Sequence, residues 1–136
     1  MLCKTSNPGS GDLQDVSVIV GEDVSVRPIP LYEHVAHLAQ TWNTKNNIGL
    51  VVGATRVDAL KRVRTAAPGL WFLAPGVGTQ GGELELTLKS GLREDGKGIL
   101  IPISRGISRA KKPGVAAAEI RDQILQIKMQ LNREVR

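Results

Sequence analysis

The sequence has 136 residues, of which 41% are hydrophobic and 23% charged, and it carries a formal net charge of +5. This composition is typical of one soluble globular domain, and no apolar run approaches the ~20 residues needed to span a membrane. The one cysteine, Cys3, excludes a disulfide within the chain and favours a reducing, cytoplasmic location.

Strand and helix patterns alternate along the chain. Short, continuous apolar runs predict strands buried on both faces of a parallel sheet, and they occupy residues 2–5, 48–52, 70–74 and 99–103. Pro102 is unfavourable within the last of these strands, because proline has no N–H to donate. The βα-βα-βα-βα order predicts an α/β fold of about four βα units with parallel strands and right-handed crossovers.

Helical spacing fills the gaps between the strands. One predicted helix follows Pro30, and its apolar face comprises Leu31, Val35, Leu38, Ala39 and Trp42. The next begins at a capping box formed by Thr55 and Asp58 and ends at Pro68-Gly69. Two more are predicted over 83–90 and from Val115 onward.

Residues 9–29 fit this alternation poorly and predict an irregular insertion or a hairpin. Gly9-Ser10-Gly11 is typical of a loop. Val16–Val20 and Val24–Val26, on either side of Gly21-Glu22-Asp23, are compatible with a surface hairpin.

The glycine-rich segment from Pro75 to Glu83 is the most informative in the sequence. It follows a strand and opens a helix, so its free N–H groups favour an anion, and the amide of Gln80 adds a donor. A tight turn without a ligand is the alternative. Gly76-x-Gly78-x-x-Gly81 also matches the dinucleotide fingerprint, but it follows the third predicted strand, whereas that fingerprint belongs to the first βα unit.

The following strand ends at Ser104-Arg105-Gly106, and a guanidinium group there suits phosphate because it binds two oxygens at once. Barrel enzymes often hold phosphate between the last two βα loops. The basic net charge suits a small phosphorylated substrate, and no aromatic residue lies among the basic clusters to stack nucleic-acid bases. His34 and His37 have no evident third ligand, so no metal site is predicted.

Four segments, in the same order, resemble orotidine 5′-phosphate decarboxylase. They are Thr5-Ser6-Asn7-Pro8-Gly9, Gly49-Leu50-Val51-Val52-Gly53-Ala54-Thr55, Leu73-Ala74-Pro75-Gly76-Val77-Gly78-Thr79-Gln80-Gly81-Gly82 and Ser104-Arg105-Gly106-Ile107. The Pro-Gly-Val-Gly-x-Gln-Gly-Gly string is the most specific of them. The resemblance implies the C-terminal half of a (β/α)₈ TIM barrel, strands 5 to 8, over residues 1–136.

The resemblance also implies decarboxylation of orotidine monophosphate to uridine monophosphate in pyrimidine biosynthesis, by a homodimer with no metal or organic cofactor. It implies that Ser6 contacts the pyrimidine and that Gln80 and Arg105 hold the phosphate, with backbone N–H groups near Ser104 and Gly106. The substrate-binding residues that it implies are Ser6, Pro75, Val77, Gln80, Ser104, Arg105 and Gly106.

The family's chemistry depends on an Asp-x-Lys-x-x-Asp signature, which does not occur in these residues. A complete barrel needs ~250 residues, so we expect a partial chain that pairs with the missing half and is inactive alone. Two alternatives stay open, namely a sugar-phosphate lyase of the same superfamily and a non-catalytic module that binds phosphate or nucleotide.

Overall fold

The structure is a computed structural model that describes residues 1–21, 27–78 and 83–134. Its main sheet is parallel, in the order β1-β4-β5-β6, and a second antiparallel sheet pairs β2 with β3. The strands are β1 Leu2–Lys4, β2 Ser17–Val18, β3 Ile29–Pro30, β4 Gly49–Val52, β5 Trp71–Leu73 and β6 Ile99–Leu100. The helices are α1 Ser10–Gln14, α2 Leu31–Trp42, α3 Val57–Ala66, α4 Leu84–Gly91, α5 Arg105–Ser108 and α6 Pro113–Glu134.

The four predicted parallel strands and the four predicted longer helices are all present. Strand β6 is shorter than predicted and ends at Leu100, two residues before Pro102. Proline has no N–H for the ladder, so the chain leaves the sheet before reaching it.

The core lies between the main sheet and the helices. Leu50, Val52 and Phe72 point to the helix side and pack against Leu60 and Val63 of α3. The other face of the sheet carries a row of residues in register, in which Leu2 aligns with Val51, Val51 with Leu73, and Leu73 with Leu100. Most of this second row is exposed, so the sheet has one packed face and one uncovered apolar face.

Helix α2 is rotated about its axis by one residue position relative to the prediction. Tyr32, Ala36 and Ala39 are buried, whereas Trp42 is 53% exposed. Positions 31/35/38 and 32/36/39 have the same spacing, so periodicity could not choose between them. The alanines allow the helix backbone to approach the sheet, and that packing decided the rotation.

The predicted capping box at the start of α3 is wrong. The N-cap is Arg56, and no side-chain hydrogen bond caps the helix. The turn is instead held by its backbone, since the Arg56 N–H donates to Gly53 O at 3.1 Å and the Ala54 N–H donates to Pro75 O at 2.8 Å.

Residues 9–29 contain more regular structure than a loop. Gly9, with a φ of 80°, is the N-cap of α1, which replaces the loop predicted over Gly9-Ser10-Gly11. Ser17–Val18 pairs with Ile29–Pro30. The predicted strand Val24–Val26 lies outside the described residues.

Candidate functional site

The loops that follow β1, β4, β5 and β6 meet at one edge of the main sheet, because the carboxyl ends of parallel strands lie together. The Gly53 N–H donates to Lys4 O at 2.8 Å, joining the end of β4 to that of β1. The Ala54 N–H donates to Pro75 O, joining the end of β4 to that of β5. In parallel α/β folds this edge is where ligands bind.

A cavity of about 190 Å³ opens between the loops after β5 and β6. Its lining residues are Pro75, Gly76, Val77, Pro102, Ile103, Ser104, Arg105 and Gly106. The structure therefore brings together five of the residues predicted to bind substrate. Pockets for whole ligands start at about 300 Å³, so this cavity matches one small group, such as a phosphate, better than an entire nucleotide.

The turn after β5 has the conformation that its glycines predict. Gly76 and Gly78 have φ values of 104° and 78°. Residues with a Cβ are strained in this region, whereas glycine is not. Between them, Val77 is buried and packs with Ala54 and Ala74. Val77 anchors the turn, and Gly76 and Val77 both line the cavity. Gln80, predicted to hold phosphate, lies outside the described residues.

Arg105 is exposed and is the first residue of α5. Ser104 is the N-cap, and its hydroxyl makes no capping hydrogen bond. The first N–H groups of a helix have no partner within the helix, so those of Arg105 and Gly106 are available to an anion beside the guanidinium group. Positive charge and free backbone donors thus share one rim of the cavity.

Ser6 lies at the same edge of the sheet but does not line the cavity. It is exposed and packs against Gly53, where an added Cβ would stand 3.3 Å from Ser6 Cβ. The loop after β4 therefore separates Ser6 from the turn after β5. A ligand that contacted both Ser6 and the turn after β5 would need one end in the cavity and the other beside Ser6.

A charged group that the motifs did not indicate lies two residues before Ser6 in the chain. Lys4 is fully buried, with Nζ 2.7 Å from Asp15 Oδ1 and 5.7 Å from the centre of the Tyr32 ring. This contact is an ion pair only, since no hydrogen bond of acceptable geometry reaches Lys4 Nζ among the described residues. Arg56 approaches the same carboxylate at 3.7 Å. The sequence did carry a signal for this buried charge, namely a lysine inside an apolar run that predicts a buried strand.

Cys3 is buried, and its Sγ donates to Tyr32 O at 3.1 Å. Burial raises the pKa of the thiol to about 12, so it stays protonated at neutral pH and is no nucleophile. Within residues 1–21, 27–78 and 83–134, no three His, Cys, Asp or Glu side chains cluster closely enough to hold a metal ion.

The sequence model described as "Orotidine 5'-phosphate decarboxylase / HUMPS family" matches residues 1–120. The chain belongs to this family. The family resemblance predicted from its motifs is therefore confirmed.

Curated members of the orotidine 5′-phosphate decarboxylase family align with almost all of the chain. The orotidine 5′-phosphate decarboxylase of Roseiflexus castenholzii is 42% identical over 137 residues, which cover 100% of this chain and 48% of the relative. That of Haloarcula marismortui is 48% identical over 122 residues, covering 90% of this chain and 40% of the relative. The chain thus spans about half the length of these relatives.

Solved structures of family members have the same fold. Leishmania donovani OMP decarboxylase superposes with a TM-score of 0.80 at 49% identity, covering 94% of this chain and 47% of that one. A Toxoplasma gondii structure described as a putative orotidine-monophosphate decarboxylase gives 0.84 at 38% identity, covering 99% and 51%. The predicted fold class, a part of a (β/α)₈ barrel, is confirmed, while the numbering of its strands as 5 to 8 stays a prediction. None of the helices that the structure describes is both long and apolar enough to cross a membrane.

Proposed function

We propose that this chain is the ligand-binding half of an orotidine 5′-phosphate decarboxylase barrel and binds orotidine and uridine monophosphates. The cavity between the loops after β5 and β6 carries this proposal. It is lined by a glycine turn and by Arg105, and its size matches a phosphate group. Membership of a decarboxylase family supplies the substrate class.

Each predicted residue has a role under this proposal. Arg105 binds the phosphate together with the N–H groups of the Ser104–Gly106 turn, while Pro75 and Val77 form the opposite wall. Gln80 adds an amide donor to the phosphate. Ser6, across the loop after β4, contacts the pyrimidine, so the nucleotide lies along the sheet edge.

The isolated chain is proposed to be inactive as a carboxy-lyase. The Asp-x-Lys-x-x-Asp signature, which the resemblance makes responsible for the chemistry, does not occur in the 136 residues. Pairing with a chain that supplies those groups would restore the reaction. The resemblance implies that neither a metal nor an organic cofactor takes part, and it implies pyrimidine biosynthesis. The single cysteine favours the cytoplasm.

A second chain is proposed to cover the exposed face of the sheet, either another copy or the other half of a barrel. Leu2 and Leu100, on the two outermost strands of the main sheet, are 70% and 54% exposed on this face. Apolar residues in such a row are usually covered by a partner.

The alternative function, a sugar-phosphate lyase, would use the same phosphate-binding residues without the Ser6 contact. Titration calorimetry with uridine monophosphate and with a pentulose monophosphate separates the two functions. The decarboxylase half binds the uridine nucleotide more tightly, whereas equal or reversed affinities would favour the lyase.

The phosphate role of Arg105 is tested by Arg105→Ala, with Arg121→Ala on exposed α6 as the matched control. We expect Arg105→Ala to weaken uridine monophosphate binding by about 10- to 100-fold, because charge-assisted hydrogen bonds contribute ~1.5–3 kcal/mol. Arg121→Ala should leave the affinity unchanged. Equal effects of the two variants would show that Arg105 acts only through net charge.

A further inference from the structure

Helix α1 holds the residue that precedes Ser6 through two side chains. Gln14 Oε1 accepts the Thr5 N–H at 3.0 Å, and Gln14 Nε2 donates to Thr5 Oγ1 at 3.1 Å. The Ser10 hydroxyl donates to Thr5 O at 3.1 Å. The N–H and the C=O of Thr5 are therefore both bonded to α1, so the peptide that leads into Ser6 has a fixed direction.

Helix α1 is itself fastened to the sheet. Asp15, which follows its last residue, pairs with the buried ammonium group of Lys4 at 2.7 Å. Arg56, from the loop after β4, lies 3.7 Å from the other oxygen of the same carboxylate. These contacts join α1 to β1 and to the loop after β4, so a shift of the helix would also shift Thr5.

Ser6 is exposed, but the residue before it is held by α1 and its side chain lies beside the backbone of Gly53. On one side Thr5 is bonded to α1, and on the other an added Cβ at Gly53 would lie 3.3 Å from Ser6 Cβ and 3.5 Å from Ser6 Oγ. Any tilt of the Thr5 peptide would therefore swing the Ser6 hydroxyl along the sheet edge. Small misplacements of a contacting group lower its contribution to recognition strongly.

We infer that Gln14 is a positioning residue, which sets the direction of the Ser6 hydroxyl and so gives this site its preference for a nucleotide base. The inference rests on the proposed function, in which Ser6 contacts the pyrimidine. It assigns α1 to base recognition, although no α1 residue is among the described residues that line the cavity. Ser10 assists by holding the C=O of Thr5.

The experiment compares two ligands that share the phosphate but not the base, uridine monophosphate and ribose 5-phosphate, titrated into the 136-residue chain. Gln14→Ala should weaken binding of uridine monophosphate by about tenfold and leave the affinity for ribose 5-phosphate unchanged. Gln14→Glu keeps the acceptor for the Thr5 N–H and should retain most of the preference for the nucleotide. Gln126→Ala, an exposed glutamine on α6, is the matched control.

The outcomes separate the inference from the proposed function. If the unaltered chain does not prefer uridine monophosphate, the proposed function fails and the inference fails with it. If the chain has that preference and Gln14→Ala retains it, or weakens both ligands equally, the positioning role alone is overturned. If Gln14→Ala does not fold, as judged by circular dichroism, a loss of preference in Ser10→Ala supports the role and a retained preference overturns it.

Discussion

At the scale of single residues, Arg64 links several segments of the chain through one guanidinium group. It donates to Gly91 O at 2.7 and 2.9 Å, to Leu70 O at 2.8 Å and to Gly98 O at 2.9 Å, and it lies 3.6 Å from the centre of the Phe72 ring. Burial lowers its pKa to about 10, so it remains charged at neutral pH. In sequence it resembled any solvated arginine on a helix, because its carbonyl partners are brought together only by the fold.

Replacing Arg64 by lysine should destabilise the chain markedly. Lysine keeps the charge but has no planar fork, so several carbonyl groups lose their donors, and we expect the free energy of unfolding to fall by about 3 kcal/mol. Arg62→Lys on the same helix is the control, since Arg62 is exposed and its 3.2 Å pair with Glu33 is worth under ~1 kcal/mol. Urea denaturation followed by circular dichroism measures both, and equal shifts would contradict this account of Arg64.

At the scale of elements, the predictions succeeded where an element depends on its own sequence. Continuous apolar runs located the four parallel strands, and the glycine-rich segment located the turn in which Gly76 and Gly78 have positive φ. The buried face of α2 could not be predicted, because two stripes had equal spacing and only packing against the sheet selects one. Helix α1 was missed because it has five residues and depends on side-chain contacts outside the helix, with Thr5 and Lys4.

The candidate site was predictable to a similar degree. Five of the residues predicted to bind substrate line one cavity because each follows β5 or β6, and parallel strands bring such residues to one edge. Ser6 stands apart from the cavity because β4 lies between β1 and β5, which is the chain order that the predicted barrel requires.

At the scale of the whole molecule, the exposed surface is large for the mass. The chain exposes 8820 Å², whereas a compact protein of this mass exposes about 6,900 Å². The uncovered sheet face contributes to this excess of exposed surface. It includes Leu73 near its centre and Leu100 on the outermost strand, β6. Burying this surface against a partner would be favourable.

We therefore expect the chain to associate in solution through this face. Light scattering should give a mass above the 14.6 kDa of one chain, and Leu73→Asp should shift the mass towards that value. Leu125→Asp, at an exposed leucine on α6, should leave association unchanged. A monomer for the unaltered chain would contradict this expectation.

Proton NMR of orotidine monophosphate mixed with the chain tests most directly whether this half of the barrel grips its ligand without catalysing decarboxylation. Decarboxylation places a new proton on C6 of the pyrimidine, so one sample reports both binding and turnover. We predict saturable shifts of the ligand signals with no C6 proton of uridine monophosphate appearing. Formation of that proton, or ligand signals unaffected by the chain, would contradict the account.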